Sequence, residues 1–210
     1  IPINGFSQYQ KISGTYWTFS KILGENIKLS ALFDRDYRCP EEVEAFIKEL
    51  EKEADFVHVL SKKEIENFLL VPSAIEKSIV EKFEKSKSES NKKKYSDFNI
   101  ETLIKEISDE FKVLVISQIA SHKYKFHKVP GCDDLAIIIA DQQKIIEKHW
   151  NDLNYRLAVI PGKEAITSIN RILQERYGVS ITHNMIISHM TQNDIDKDLL
   201  TLFERIRKFV

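Results

Sequence analysis

Two aspartates one residue apart, Asp34 and Asp36, directly follow an apolar segment that ends at Phe33. If the backbone stays extended there, both carboxylates project to the same side of the strand. Two carboxylates this close repel each other unless a cation lies between them. Oxygen-only ligands suit a hard ion such as Mg²⁺ or Mn²⁺ better than zinc. The pair therefore predicts a divalent-metal site, with the alternative that Asp34 caps the next helix and Asp36 is solvated.

A second acidic segment, residues 61–70, follows the next predicted strand and contains Glu64 and Glu66. Ser61 and Glu64 have the spacing of a helix capping box, which gives Glu64 a structural role as an alternative to metal binding. Glu66 has no such alternative, and it lies in the first turns of a helix that begins at the same sheet edge. We therefore expect Glu66, and less favourably Glu64, to complete an acidic metal site.

Residues 157–160 are predicted to form a strand, which is followed by a tight turn at Pro161 and Gly162. Lys163 comes next, at the start of the following helix. Backbone N–H groups and the helix dipole favour an anion at such a position. A lysine there could stabilise charge developing on a phosphate, although an exposed helix-start lysine is the alternative. The segment lacks the upstream glycine and the following Ser or Thr of a Walker A loop, so we do not expect ATP binding by this chain.

Strands and helices that would position these residues alternate in the first third of the chain. The patterns predict strands over 1–4, 27–33 and 56–60, and helices over 16–23, 40–54 and from about 61 onward. This order predicts an α/β fold with a mainly parallel, Rossmann-like sheet flanked by helices and joined by right-handed crossovers. Ligands of such sheets bind at the carboxyl edge of the strands, where Asp34 and Asp36 would lie.

The rest of the chain is predominantly helical in its patterning. We divide it into a core over 1–72, a helical insertion over 73–152, and a return strand with C-terminal helices over 153–210 that completes the core. Helices are predicted over 75–83, 100–126, 133–150, 163–177 and 194–209. Residues near 84–97 have almost no apolar content and are predicted to form a mobile loop.

The composition is that of an ordinary globular protein, with 42% hydrophobic and 30% charged residues among 210. A formal net charge of −1 means that any nucleic-acid binding requires a local basic patch. The two cysteines, Cys39 and Cys132, show neither disulfide nor metal-ligand spacing and fit a reducing cytoplasm. The longest apolar run, 135–140, is too short to span a bilayer, so no membrane partner is expected.

The histidines and an acidic pair at residues 133 and 134 are the remaining residues considered as possible metal ligands. The six histidines show no convincing ligand spacing, and we expect structural or surface roles for them. Asp133 and Asp134 follow Pro130 and Gly131 and most simply form a helix N-cap, with an extra metal ligand as the alternative.

Taken together, these segments resemble the TOPRIM nuclease domain of the OLD (overcoming lysogenization defect) family. The resemblance rests on three segments that occur in the family's order and separation: Phe33-Asp34-Arg35-Asp36-Tyr37-Arg38, Lys63-Glu64-Ile65-Glu66-Asn67-Phe68-Leu69-Leu70 and Pro161-Gly162-Lys163. It is strong through residue 72, weak across the helical middle, and moderate from residue 155 onward.

The resemblance implies a TOPRIM-like fold and a metal-dependent DNA endonuclease. It implies that Asp34, Asp36 and Glu66, or else Glu64, bind Mg²⁺ or Mn²⁺. It also implies that Lys163 assists at the scissile phosphate. In this family the nuclease domain follows an ABC-type ATPase region of the same chain, and relatives act in anti-phage defence. A homo-oligomer is a further partner to consider.

One departure concerns a glutamate that TOPRIM domains carry after their first strand. In the OLD family it precedes the segment that resembles residues 1–5, and it has no counterpart here because Glu25 follows the wrong element. We therefore expect an N-terminally truncated domain that is catalytically incomplete by itself.

Two other interpretations remain open. A haloacid-dehalogenase-like phosphatase also has Asp-x-Asp after an apolar strand. There Asp34 would be the nucleophile, Asp36 the general acid, and Ser61 a phosphate contact, with Asp133 and Asp134 as Mg²⁺ ligands. The two residues after Asp36 depart from that family's pattern. The other interpretation is a non-catalytic partner-binding or dimerisation module, with the helices after residue 72 as its surface.

Overall fold

The computed structural model describes residues 14, 18, 21, 22, 28–85, 98–127 and 134–209. Its two strands are β1 (Ser30–Phe33) and β2 (Phe56–Val59). Its longer helical elements are α1 (Pro40–Leu50), α2 (Pro72–Lys85), α3 (Ile100–Phe126), α4 (Leu135–His149), α5 (Leu153–Val159), α6 (Gly162–Tyr177), α7 (His183–His189) and α8 (Lys197–Phe209). Short 3₁₀ turns cover Ile65–Leu69 and Gln192–Asp194.

The first part of the fold is a β-α-β unit. β1 pairs with β2 in parallel, with Ser30 opposite Phe56 at one end and Phe33 opposite Val59 at the other. α1 crosses between them, and the ring of Phe46 meets Phe33 edge-on at a centroid distance of 5.0 Å. The predicted parallel pairing is confirmed. Within the described ranges, however, the chain is mostly helical and holds two strands, so the α/β class holds only in this coarse sense.

Several predicted elements fall wholly or partly outside the described residues. The predicted strand over 1–4 does so entirely, as does most of the helix predicted over 16–23, of which Thr18, Lys21 and Ile22 are helical. Of the predicted loop near 84–97, residues 84 and 85 belong to the end of α2, and residue 86 onward is outside.

The predicted return strand over 157–160 is wrong. Residues 153–159 form helix α5, and the Asp152 carboxylate caps it by accepting a hydrogen bond from the backbone N–H of Asn154 at 2.9 Å. The helix ends just before Pro161, which has no N–H to continue it. A short apolar run fits a buried helix as well as a strand, and here the N-cap favours the helix.

The helix predicted from about Ser61 is also wrong. The chain bends through residues 61–64, and only then does the 3₁₀ turn Ile65–Leu69 begin. Long-range backbone contacts hold the bend, because Lys63 accepts a hydrogen bond from Asp36 N–H at 2.8 Å and donates one to Ala158 O at 2.9 Å. Local spacing does not report contacts of this kind.

Three apolar clusters stabilise the fold. The largest takes buried residues from each helix from α2 to α7, and so joins the predicted insertion to the segment after residue 152. A second packs α1 against the sheet, and a third sets Leu202 of α8 against Phe56 and Phe68. The division of the chain at residues 72 and 152 stays a prediction.

Buried Arg156 of α5 ties this helix to α3. Its guanidinium donates hydrogen bonds to the Asp109 carboxylate at 2.8 Å and to Ser108 Oγ at 3.0 Å, and it also bonds Trp150 O. The indole N–H of Trp150 donates to the same Asp109 carboxylate at 2.6 Å. Charge pairing and several hydrogen bonds are what a buried guanidinium requires. The network helps to fix the start of α6, which follows α5 directly.

Candidate functional site

Asp34 and Asp36 lie where β1 ends, beside the segment that follows β2. One oxygen of Asp34 accepts a hydrogen bond from the backbone N–H of Ile65 at 2.9 Å. The N–H of Asp36 donates to Lys63 O at 2.8 Å. These two bonds bring the loop after β1 next to Glu64 and the 3₁₀ turn, as expected for the carboxyl edge of a parallel pair.

Asp36 has an uncommon backbone conformation, with a φ of 53°. This left-handed region is unfavourable for most residues but tolerated by aspartate, and non-glycine residues found there are often at functional sites. Within the described part of the chain, the Asp36 carboxylate has neither a hydrogen bond nor an ion pair. The carboxylate is therefore available to a ligand.

The electrostatics of Asp34 place four carboxylates near one another. Desolvation by surrounding protein is the largest cause that raises the pKa of Asp34 above its usual value, although the residue as a whole is exposed. The hydrogen bond from Ile65 lowers it, and the negative charges of Asp36, Glu66 and Glu64 raise it further. We call Asp34, Asp36, Glu64 and Glu66 the sheet-edge acidic cluster.

Glu64 and Glu66 differ in what they contact. One Glu64 oxygen accepts a hydrogen bond from the backbone N–H of Lys163 at 2.7 Å, and the other pairs with the ammonium of Lys63. Both oxygens of Glu64 are thus occupied, at the N-terminus of α6. Glu66 has no such partner in the ranges that the structure covers, so its carboxylate, unlike that of Glu64, is open to a ligand.

Lys163 lies in the first turn of α6, next to the sheet-edge acidic cluster through its backbone bond to Glu64. Its side chain is exposed, and its ammonium forms no ion pair with any described residue. α6 has 16 residues, so its N-terminal end carries a partial positive charge. An anion bound beside the cluster would be attracted by the Lys163 ammonium and by the positive end of the α6 dipole.

Asn67 and Gly162 hold the two halves of this site together. The buried Asn67 amide donates hydrogen bonds to Leu157 O and Ile160 O, both at 2.8 Å, while its oxygen accepts one from Glu64 N–H at 3.0 Å. A Cβ on Gly162 would lie 2.7 Å from Asn67 N, so only glycine permits this approach.

No role for Asn67 was predicted from the sequence. Its amide oxygen accepts from Glu64 N–H three residues earlier, in a capping box. The two carbonyl groups to which the amide donates lie about 90 positions away along the chain, and local spacing does not report them.

Tyr37 packs beside the cluster, with the ammonium of Lys63 5.4 Å from its ring centroid. Burial raises the pKa of the Tyr37 phenol, and the negative charges of Glu64, Glu164 and Asp36 add to the effect. The phenol therefore stays protonated at neutral pH and can donate a hydrogen bond.

A cleft of about 490 Å³ opens beside Asp36. Four basic side chains, Arg35, Arg38, Lys63 and Lys123, are among those that line it. Arg38 pairs with Glu42 and Lys63 with Glu64, whereas Arg35 and Lys123 form no ion pair within the described segments. Two basic side chains without a close ion pair, next to the sheet-edge acidic cluster, suit a phosphate-bearing ligand.

The carboxylates of the sheet-edge acidic cluster do not converge to coordination distance. Among described residues, one set of three potential ligands has all its ligand atoms within 4.8 Å of one another, and it consists of Cys39, Glu41 and His127. We call this set the Cys-Glu-His cluster. Sequence spacing missed it because His127 comes from the far end of α3.

Asp134 is the N-cap of α4, accepting a hydrogen bond from Ala136 N–H at 3.3 Å, as predicted. Asp133 lies outside the described residues.

No protein-family model matches the chain, and neither a curated protein nor a solved structure matches it significantly. None of the described helices has the length and apolarity needed to cross a membrane.

Proposed function

We propose that the sheet-edge acidic cluster binds Mg²⁺ or Mn²⁺ and that the chain is part of a DNA endonuclease with a TOPRIM-like fold of the OLD family. The observation that carries the proposal is the presence of unpartnered Asp36 and Glu66 carboxylates beside Asp34. Their oxygen-only chemistry suits a hard cation, and their mutual repulsion would be relieved by one.

Asp34, Asp36 and Glu66 would hold the ion. A divalent ion in such a site orients a water molecule and neutralises charge on the phosphoryl oxygens. Glu64 has a different role, because it anchors the N-terminus of α6 and so positions Lys163. The exposed ammonium of Lys163 would bind a phosphate oxygen and stabilise the charge that develops there.

The neighbouring cleft would hold the DNA backbone. Arg35 and Lys123 supply positive charge at the cleft wall, which offsets the net charge of −1 locally. Phosphate contacts of this kind position a duplex without reading its sequence. Each contact that is removed should lower the salt dependence of DNA binding by about one unit of slope.

Titration calorimetry with Mn²⁺ tests the ion site. We expect binding by the unchanged protein, weakened at least about tenfold by Asp36→Ala, which is about 1.4 kcal/mol. Glu175→Gln, at the exposed far end of α6, is the matched control and should bind normally. Equal binding by all three proteins, or no binding at all, would contradict the proposal.

Cleavage is a separate readout, because the expectation that this chain is catalytically incomplete stays a prediction. Robust nicking of plasmid with Mn²⁺, lost in Asp34→Ala, would support the site and show that expectation wrong. Hydrolysis of a generic phosphomonoester, abolished by Asp34→Asn, would instead favour the phosphatase alternative.

An ABC-type ATPase region in the same natural chain and a role in anti-phage defence are further parts of the proposal that rest on the resemblance alone. A cytoplasmic location is a further part that rests on the two cysteines, which show no disulfide spacing.

Partner binding is a second candidate function, favoured by an apolar cavity of about 600 Å³ beside Glu66. Ile187 and Phe203 at its wall are 54% and 53% exposed, which is unusual for large apolar side chains in one patch. A second copy of this chain is the proposed partner. Light scattering should give a dimer mass that Phe203→Asp reduces to that of the monomer, and a monomeric unchanged protein would contradict this.

A further inference from the structure

The Cys-Glu-His cluster joins two elements that are remote in sequence. Cys39 is the N-cap of α1 and Glu41 lies in the first turn of the same helix. His127 is the C-cap residue of α3. The thiol, carboxylate and imidazole ligand atoms lie within 4.8 Å of one another. Cys39 and Glu41 are two residues apart and share a side-chain hydrogen bond, so their proximity is local, whereas His127 joins them through the packing of the two helix ends.

The distances fit a single small ion. Zinc holds sulfur at about 2.3 Å and imidazole nitrogen or carboxylate oxygen at about 2.0–2.2 Å. Two ligand atoms no more than 4.8 Å apart can therefore both reach one ion after small side-chain shifts.

The donor set selects the kind of metal. Sulfur and imidazole ligands favour zinc and similar transition metals, whereas Mg²⁺ and Ca²⁺ prefer oxygen alone. A thiolate and a carboxylate supply two negative charges, which balance a divalent ion. The cluster thus differs from the sheet-edge acidic cluster in the ion that it would select.

An ion could reach the Cys-Glu-His cluster from solvent, and one of its coordination positions would remain open to water. Glu41 is exposed and Cys39 is partly exposed, and both line the 490 Å³ cleft described above. With three protein ligands, the fourth position of a tetrahedral ion would face this space. The nearby Phe126 ring, 5.0 Å from the His127 ring, limits the orientations of the imidazole.

We propose that Cys39, Glu41 and His127 form a binding site for Zn²⁺ or a chemically similar transition-metal ion. The ion would tie the N-terminus of α1 to the C-terminus of α3. The loop that carries Asp36 leads directly into α1, so the ion would also limit the movement of that loop.

The test uses the chelator-treated chain and Co²⁺ alone as the probe, followed by displacement with Zn²⁺. A thiolate bound to Co²⁺ gives an intense near-ultraviolet charge-transfer band. We expect this band at one equivalent of Co²⁺, its loss on adding Zn²⁺, and a rise in melting temperature with Zn²⁺.

Variants identify the ligands. Cys39→Ser should abolish the band. His127→Gln and Glu41→Gln should weaken Co²⁺ binding at least about tenfold, since even groups that only support a metal ligand have effects of this size. Glu41 is exposed in the first turn of α1, so its variant remains informative if Cys39→Ser lowers stability.

Two control variants alter a histidine and a cysteine outside the Cys-Glu-His cluster. His183→Gln alters an exposed histidine on α7 and should bind Co²⁺ normally. Cys132→Ser leaves Cys39 as the sole thiol, because the chain has two cysteines, and should keep the band. The proposal is overturned if the unchanged protein shows no band, if the band survives Cys39→Ser, or if Cys132→Ser removes it.

Discussion

The sheet-edge acidic cluster and the Cys-Glu-His cluster both take residues from the short segment that leads from β1 into α1. In the first, no three of the described carboxylates bring their oxygens within 4.8 Å of one another, and the neighbouring negative charges help to raise the pKa of Asp34. In the second, three chemically different side chains already converge. A ligand set of mixed charge can therefore be preformed, whereas we expect an all-carboxylate set to close only around its cation, because like charges repel.

The two clusters also differ in what holds them. Backbone hydrogen bonds and the Asn67 amide connect the segments of the acidic cluster. The Cys-Glu-His cluster depends instead on the packing of two helix ends. Substitutions of Asn67 or Gly162 should therefore affect the acidic cluster more than the Cys-Glu-His cluster.

Asn67→Ala is expected to have the largest effect. It removes three hydrogen bonds at a fully buried position and leaves backbone partners unsatisfied, which should lower the free energy of unfolding by about 2–4 kcal/mol. Urea denaturation measures this. Asn154→Ala, at an exposed position on α5, is the control and should change stability by less than about 0.5 kcal/mol. A similar small effect in both variants would contradict the role of Asn67.

Gly162→Ala should lower stability by about 1–3 kcal/mol, because its Cβ would lie 2.7 Å from Asn67 N. It should also weaken Mn²⁺ binding by displacing α6 from Glu64. Gly178→Ala strains a residue at a φ of 68° and should cost about 1 kcal/mol, yet leave Mn²⁺ binding intact. Calorimetry with Mn²⁺ on both variants separates general instability from disruption of the site. Equal Mn²⁺ affinities of the Gly162→Ala and Gly178→Ala variants would contradict a role of Gly162 in the site.

His122→Gln tests the electrostatics between the two clusters. Burial is the main cause that lowers the pKa of His122 below 6.5; Arg38 and Lys125 lower it further, while Glu42 and Asp36 oppose the shift. Because the folded state disfavours the charged imidazole, this residue should reduce stability as pH falls through 6.5. Melting temperatures from pH 7.5 to 5 should therefore fall less steeply in His122→Gln, and an unchanged slope would refute this assignment.

Asp34→Asn should have the smallest effect on stability. We expect it to raise stability slightly in the absence of metal and to weaken Mn²⁺ binding. The raised pKa of Asp34 means that its stabilising contribution is complete below pH 3.8 and lost as pH rises through the folded pKa. Without metal at pH 7, Asn should therefore make the protein slightly more stable while retaining an acceptor for Ile65 N–H. Melting temperature in chelator and Mn²⁺ affinity should move in opposite directions; a loss of both would indicate a purely structural aspartate.

Elements with local signals were predictable from the sequence. α3 has the predicted bounds, and the Asn99 side chain caps it by accepting a hydrogen bond from Thr102 N–H. Pro40 begins α1, and Gly178 ends α6 in the left-handed conformation. Each of these positions depends on the conformation or hydrogen bonding of one residue and its near neighbours, which periodicity and capping rules describe.

Features set by distant contacts were not predictable in the same way. The bend at residues 61–64 depends on Asp36 and Ala158, and the Cys-Glu-His cluster depends on where α3 ends relative to α1. The acidic residues were found because an aspartate pair after an apolar run has a local pattern. Cys39 and His127 have none, since their proximity arises only from the tertiary fold.

The hard-metal site at the sheet edge can be located by paramagnetic broadening of amide signals with a small amount of Mn²⁺. We expect the signals of Asp34, Asp36 and Glu66 to broaden first, and Cys39→Ser to leave this pattern unchanged. Broadening centred on Cys39 and His127 instead, or no selective broadening at all, would contradict a hard-metal site at the sheet edge.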